Sequence, residues 1–512
     1  MLLKSASVTT IHAHRWFIVI AVMLSTIMEI LDTTIVSVSL PHMMGSLGAD
    51  RDQISWVLTS YIVAAGVLMP LTGFLVGRIG CRRLLLINIL GFMFASALCG
   101  ISGNLTQIVL FRLLQGVFGA SLVPLSQYIL RETFPAEEQP KAMAVWGIGV
   151  MAAPILGPTI GGYITDVLNW RWIFYINVPV CLLDCFLVLT FIKESVLKKE
   201  TIDWIGMALL IIGISALQLF LDRGEVDDWF ASTTICCLCV IFIIAFIMFL
   251  FHARKTKNAI VNLRLFKDRN FAFGTLIVVF FCAAILGSLT LLPQMLETLY
   301  GYNSNLTGLV MAPRGIASGV AMMICSHLMM KKMSARWLII FGLAMSAVST
   351  WVLGKTSLQA NMHYFISLGI FQGIGIGCFF MPLSTIVFSS LPSQALAEAA
   401  GLFSFGRNIG NAMGISLLTT YLDRDTQANW HYLGAYIQGT KMNVLNWLNV
   451  QHLSLQDPHT LARLEQLLSV QANFLGYSHT FKLAAIALGV ALCLSLNLSA
   501  SKNKTNATVE AA

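Results

Sequence analysis

Charge is what this sequence has least of. Asp, Glu, Lys and Arg make up only 11% of its 512 residues, where a soluble chain carries about a quarter. A string of soluble domains is thereby excluded. None of the 11 cysteines forms a CxxC pair flanked by histidine, and most sit in apolar stretches, so neither a disulfide framework nor a structural zinc is expected. They read as small buried hydrophobes. A phosphate loop is missing as well. The nearest match, STWVLGKT (349–356), has Ser349 in place of the first glycine and falls at a helix end, and GIGIG (373–377) lacks the spacing and strand context of a dinucleotide fingerprint. No nucleotide, metal or other cofactor is expected. No nucleophile and base cluster outside the apolar stretches, which argues against an enzyme.

What is present is oil. The chain is 57% hydrophobic with a mean hydropathy of +0.78, and its apolar runs recur at roughly the 20-residue length that a membrane helix needs. Fourteen spans are expected, at about 16–40, 54–76, 83–101, 106–130, 142–165, 172–192, 203–221, 232–252, 272–296, 307–330, 337–354, 362–386, 398–421 and 481–499. With the amino terminus in the cytoplasm, 21 of the 32 Lys and Arg fall in cytoplasmic tails and loops, 8 outside and 3 within helices. That is a positive-inside bias and not a nucleic-acid patch, with both termini cytoplasmic. The first apolar run follows Lys4 and Arg15 but is too long for a signal peptide and has no A-x-A cleavage site, so it reads as a retained span.

The chain also repeats itself. GFLVGRIGCRRLLL (73–86) aligns with SHLMMKKMSARWLI (326–339), placing Arg78 on Lys331 and Arg83 on Arg336; LFRLLQGVFGASLVPLS (110–126) resembles LGIFQGIGIGCFFMPLS (368–384) at nearly the same offset. Two such halves are the mark of parallel-repeat transporters. The expected architecture is an all-α membrane protein: a six-helix bundle over 1–200, a two-helix insert over 201–256, and a second six-helix bundle over 257–512 with a long periplasmic loop at about 422–480. Within that loop LARLEQLL (461–468) has the spacing of a short amphipathic helix.

Several stretches carry a family resemblance. LDTTIVSVSLP (31–41), the set Arg112, Gln115, Gly116 and Gly119, GIGVMAAPILGPTIGG (147–162), NWRWIFYINVP (169–179), LDRGEVDDWF (221–230) and GRNIGNAMG (406–414) resemble the major facilitator superfamily. The likeness is to its 14-helix drug:proton antiporter branch, and LDRGEVDDWF, LFKDRNF (265–271) and CFFMPLSTI (378–386) bring it close to EmrB-type multidrug efflux pumps. The resemblance implies secondary active efflux from a bacterial inner membrane, driven by protons. Its cargo would be small amphipathic or cationic drugs, and its partners membrane lipid, a periplasmic adaptor and an outer-membrane channel, with no nucleic acid. It also implies a gating loop at Gly73, Arg78, Gly80, Arg82 and Arg83, and an antiporter motif at Gly149, Pro154, Gly157, Pro158, Gly161 and Gly162. Where the gating loop of the family usually has an acid this chain has Gly77, which weakens the expected charge clasp. Glu29 and Asp184 are acids that the branch does not lead one to expect.

The charges within the oil point the same way. A carboxylate at mid-bilayer costs about 2.5–3.5 kcal/mol on insertion scales, so one tolerated there is a functional candidate. Asp32 lies about 13 Å from the outer end of the first span, and Arg112 about 9 Å into a span that starts outside, at roughly 1.5 Å per residue. The two can meet. An acid whose proton competes with a mobile cation is the basis of exchange; the plain alternative is a static pair that holds two helices together. Glu29, one turn from Asp32, joins it as a proton-coupling candidate. Gln115, Asp184 and Arg407 are candidates for the substrate cavity, Asp184 with a packed pair as its alternative, while Arg314 reads as a brace. Export of one native metabolite, or a transport-dead scaffold, are the competing functions.

Overall fold

The computed structural model describes residues 2–135, 137–195, 197, 203–256, 260–437, 441–451 and 457–499, and among these the side chains from residue 15 on except at 51, 155, 158, 304, 393 and 443. Every regular element in it is helical. The first half holds α1 (Leu2–Leu47), α2 (Arg51–Leu68), α3 (Thr72–Ile79), α4 (Cys81–Ile101), α5 (Leu105–Gly119), α6 (Leu122–Thr133), α7 (Gln139–Val167), α8 (Trp172–Tyr175) and α9 (Asn177–Phe191). Then come α10 (Trp204–Arg223) and α11 (Thr233–Lys255), followed by α12 (Arg269–Tyr300), α13 (Ser304–Met330), α14 (Ala335–Leu353), α15 (Met362–Phe388), α16 (Leu396–Gly434), α17 (Met442–Val450) and α18 (Pro458–Ser495).

Among the described residues, twelve stretches are long and apolar enough to cross a membrane, with α2–α3 and α5–α6 each counting as one. The α7 helix makes a thirteenth, bent by 45° between Gln139–Pro154 and Thr159–Val167. Proline removes a backbone donor and crowds the preceding turn, so a bend between Pro154 and Pro158 has a local cause. The fourteenth place belongs to α16, packed beside α12 and α18; Arg407, Asn408 and Asn411 dilute its apolar run. Helix starts are set locally. Asp50, Asn104, Asp203, Asp268, Asn303, Asn361 and Asp457 each accept a hydrogen bond from the first turn that follows, which satisfies donors that an open helix end leaves bare.

Helix packing shows the repeat. In the first half α1 packs on α7 and α9, α5 on α2 and α4, and α4 on α9; in the second α12 packs on α16 and α18, α15 on α13 and α14, and α14 on α18. The two patterns match pair for pair. The α10–α11 pair stands apart and touches the bundles through α2 and α16.

The halves meet at one end, the end where the α1 span begins and α18 finishes, hereafter the terminal side. There the Arg131 guanidinium donates to the Ser384 carbonyl and lies 4.4 Å over the Phe388 ring, and Trp146 stacks on Phe380 at 6.5 Å. Backbones approach closely too. A Cβ on Gly73 would fall 2.3 Å from Glu398 Cα, and one on Gly401 2.8 Å from the Met69 carbonyl. Along the α7–α13 pair Gly147 meets Met322, whereas Gly162 and Gly308, nearer the opposite, distal side, have nothing within 4 Å.

The stretch expected as a long loop at 422–480 is mostly helix. Residues 422–434 prolong α16 and 458–480 begin α18, so LARLEQLL is the first part of a 38-residue helix and not a short separate one. The charges at Arg424, Asp425 and Arg463 break the apolar run without breaking the helix, because helix formation needs a packed face and not a greasy one. His479 and Asp425, 2.8 Å apart, tie the two helices together.

Candidate functional site: a buried acid and its partners

Asp32 is the centre of the site. Its residue is 1% exposed, and Arg112 Nη1 approaches its Oδ2 at 2.5 Å. Its Oδ1 accepts from Gln115 Nε2 at 3.0 Å and from Asn177 Nδ2 at 2.9 Å. Arg112 is itself held from several directions: its Nε donates to the Val57 carbonyl at 3.1 Å, Nη1 to Gln115 Oε1 at 2.7 Å, and its plane lies 4.3 Å over the Tyr61 ring. Gly116 makes this possible. A Cβ there would fall 2.5 Å from the Tyr61 carbonyl, so only glycine lets α5 come near enough to α2.

Two expected placements change. Gln115, a cavity candidate, is fully buried and belongs to the Asp32 network. Asp184, also a cavity candidate, is fully buried against α1, where Ser25 Oγ lies 2.5 Å from its Oδ2. Arg407 alone of the three is partly exposed, and it lies close enough to Glu29 of the other half for their charges to interact. Glu29 makes no side-chain hydrogen bond among the described residues. Arg314 is a brace: it donates to Gln372 Oε1 at 2.9 Å, and Gln372 donates to Thr350. Gln372 is the second half's counterpart of Gln115, but the guanidinium bonded to it comes from α13, the repeat of α2, and no acid is bonded to that guanidinium among the described residues.

The α1–α9 seam is a ladder. The helices run antiparallel, so Asp32 faces Asn177, Met28 Sδ lies 3.0 Å from Cys181 Sγ, and Ser25 faces Asp184. Asn177 also donates to Ser96 of α4 at 3.0 Å. Its role was not visible from its neighbours in sequence; the readable sign is the 177, 181, 184 spacing, which shares one helical face.

The gating-loop residues divide in two. Gly80 takes a φ of +93°, which side chains other than hydrogen resist, and opens the start of α4 to Glu194. That carboxylate accepts from the Arg82 and Arg83 amides at 3.2 and 3.3 Å and pairs with the Arg83 side chain at 3.5 Å. Arg82 also bonds the Leu189 carbonyl. These contacts lie within the first half. Arg78 is exposed, and it is Gly73 that meets the second half, at Glu398, whose carboxylate in turn accepts from the Asn262 amide. In the antiporter motif Gly149, Gly157 and Gly161 press against Met23, Thr34 and Ile35 of α1, Gly162 faces open space, and the Pro158 side chain lies outside the described set.

With this geometry in view, the profile of the Major Facilitator Superfamily matches residues 22–415. The chain belongs to that superfamily. Among curated proteins it is similar to the multidrug export protein EmrB of Escherichia coli K12, 38% identical over 405 residues covering 78% of this chain and 79% of that one. It is 36% identical to the probable multidrug resistance protein EmrY of the same organism, over 92% of this chain and 93% of that one. It is 35% identical to the fatty acid resistance protein FarB of Neisseria gonorrhoeae, over 90% and 92%. Among solved structures it resembles a double-Trp mutant of XylE, with a TM-score of 0.65 at 15% identity over 96% of this chain and 98% of that one. The human organic anion transporter MFSD10 matches at a TM-score of 0.62 and 14% identity over 93% and 99%. The protein is a multi-pass membrane transporter and not an enzyme.

Proposed function

We propose that this transporter is a drug:proton antiporter of a bacterial inner membrane, exporting amphipathic or cationic compounds by alternating access. The observation that carries the reading is Asp32, an acid buried in a membrane helix with a guanidinium and two side-chain amides all aimed at it. While it is intact such a network occupies both carboxylate oxygens, and loosening of the guanidinium leaves Oδ2 open to a proton in its place. In the conformation described, the halves are joined on the terminal side, which suits a state closed to the cytoplasm and reached by protons from the periplasm. Glu29 of α1 and Arg407 of α16 are close enough for their side chains to interact, so a cationic cargo reaching Glu29 would compete there with Arg407 and with a second proton. The relatives' names, multidrug export or resistance for two and fatty acid resistance for the third, fit amphipathic cargo.

No cofactor is needed on energetic grounds. One net charge moved inward gains about 2.3 kcal/mol per 100 mV, roughly a fiftyfold cargo gradient. The distal end of α16, α17 and the start of α18, with exposed Tyr432, Tyr436 and Val450 among them, would seat a periplasmic adaptor leading to an outer-membrane channel. The test of the function is uptake of a lipophilic cation into proteoliposomes under an imposed pH gradient. Wild type should concentrate the cation, Asp32→Asn should not, and Glu29→Gln should bind cations more weakly.

A further inference from the structure

Asp184 has no place in the exchange just described, and its surroundings are unlike those of Asp32. The carboxyl is fully buried. Its Oδ2 lies 2.5 Å from Ser25 Oγ, and its Oδ1 has no hydrogen-bond partner among the described residues. Ser25 Oγ is also 3.3 Å from the Ala21 carbonyl. The ionisable groups around it are the Cys181 and Cys185 thiols on its own helix, with Asp32 beyond Cys181. From α4, Arg82 bonds the Leu189 carbonyl, more than a turn further along, and α8 brings only Tyr175, at the far end of α9. No cation is paired with Asp184 among the described residues.

Hydrogen counting then decides the protonation state. A serine hydroxyl has one hydrogen to give. If Asp184 is ionised, Ser25 spends that hydrogen on Oδ2, the Ala21 contact is lost, and a full charge sits in an apolar seam with one oxygen bare, the costliest arrangement for a buried group. If Asp184 holds a proton, Oδ2 donates to Ser25 and Ser25 donates to Ala21, with no charge left over. We propose that Asp184 is a second hydrogen-ion binding site, loaded in this conformation and emptied toward the terminal side when that end of the α1–α9 seam opens to water. An asparagine would make the same contacts with no charge at all, so the acid adds only the ability to give the proton up. Its position supports the direction: it sits two ladder rungs from Asp32 toward the terminal side, and about 10 Å, at 1.5 Å per residue, from the end of α9.

This inference rests on the antiport reading for its purpose but not for its detection. Infrared difference spectroscopy of the purified protein, between acid and alkaline buffer, reports protonated carboxyls directly. Wild type should show a protonated-carboxyl band that Asp184→Asn removes and Ser25→Ala shifts, since the latter loses the hydrogen-bond partner and keeps the acid. In proteoliposomes, Asp184→Asn should lower the charge moved per cargo by one, so that an imposed potential drives accumulation roughly fiftyfold less per 100 mV. A band absent from wild type, or unchanged in Asp184→Asn, overturns the proposal. So does a band that never titrates, or equal potential dependence in the two proteins, either of which leaves Asp184 a fixed strut. Failure of the antiport reading would look different: no pH-driven flux in wild type, with the band still present and titrating.

Discussion

Replacing Asp32 by asparagine changes one atom and should uncouple the pump. Both residues of the Asp32–Arg112 pair have fully buried side chains, and removing one partner of such a pair costs about 3–5 kcal/mol because the other charge is left bare. The loss here should fall at the lower end of that range. Arg112 keeps Gln115 Oε1, the Val57 carbonyl and the Tyr61 ring face, and the new side-chain oxygen can still accept from Gln115 and Asn177. The protein should therefore fold, with a lowered thermal midpoint in detergent. Coupling is another matter, since an amide takes up no proton at any working pH. One pH unit is worth about 1.4 kcal/mol, or tenfold in gradient, for each proton exchanged. In sealed proteoliposomes wild type should concentrate a lipophilic cation tenfold per pH unit per coupled proton, whereas Asp32→Asn should only equilibrate it downhill. A folded Asp32→Asn protein that still concentrates cargo tenfold per pH unit would refute the assignment of Asp32.

Packing offers a paired test. A Cβ on Gly157 would fall 2.0 Å from Thr34 Oγ1, so Gly157→Ala should cost about 1–3 kcal/mol by overpacking and slow transport at least tenfold, while Gly162→Ala, in open space, should leave turnover unchanged. At the terminal seam, Gly73→Ala should push the halves apart and raise the accessibility of nearby engineered cysteines to a membrane-impermeant thiol reagent added from the cytoplasmic side. Outside the membrane, Asp203 caps α10, accepting from Gly206 at 2.9 Å, and meets His252 at 2.7 Å. Burial alone would raise its pKa, but the Gly206 amide, His252 and the Ile260 amide together hold it below 3.8. A depressed carboxylate stabilises the fold above its unfolded pKa and loses that contribution as pH falls through the folded one. The thermal midpoint of wild type should thus drop more than that of Asp203→Asn as pH is lowered past about 4, while at neutral pH the variant keeps the cap, since asparagine caps a helix about as well as aspartate, and loses only the charge that faces His252.

How far the sequence could be read depended on whether a feature was local. Apolar runs report spans directly, and helix rise places Asp32 and Arg112 at depths where they meet. The partners of that pair were harder to see. Asn177 opens α9 and looks like any turn residue near a proline; its purpose shows only once α9 lies antiparallel to α1. Glu194 capping α4 joins residues more than a hundred positions apart, and no short-range pattern announces it. Gln115 and Asp184 were legible as unusual polar residues, but not which way each would face. The helical reach of 422–480 was hidden because charge there interrupts hydropathy, the signal on which span finding relies.

The α16 helix combines two of these features in one unbroken rod. At one end it presses Glu398 against Gly73, and at the other it reaches the distal side beside the start of α18. Its 39 residues extend about 58 Å at 1.5 Å apiece, so pivoting it by 10° about its midpoint would sweep the outer tip through about 5 Å. Whatever rests on that tip would be nudged once in every turnover, receiving news of the inner latch by simple leverage.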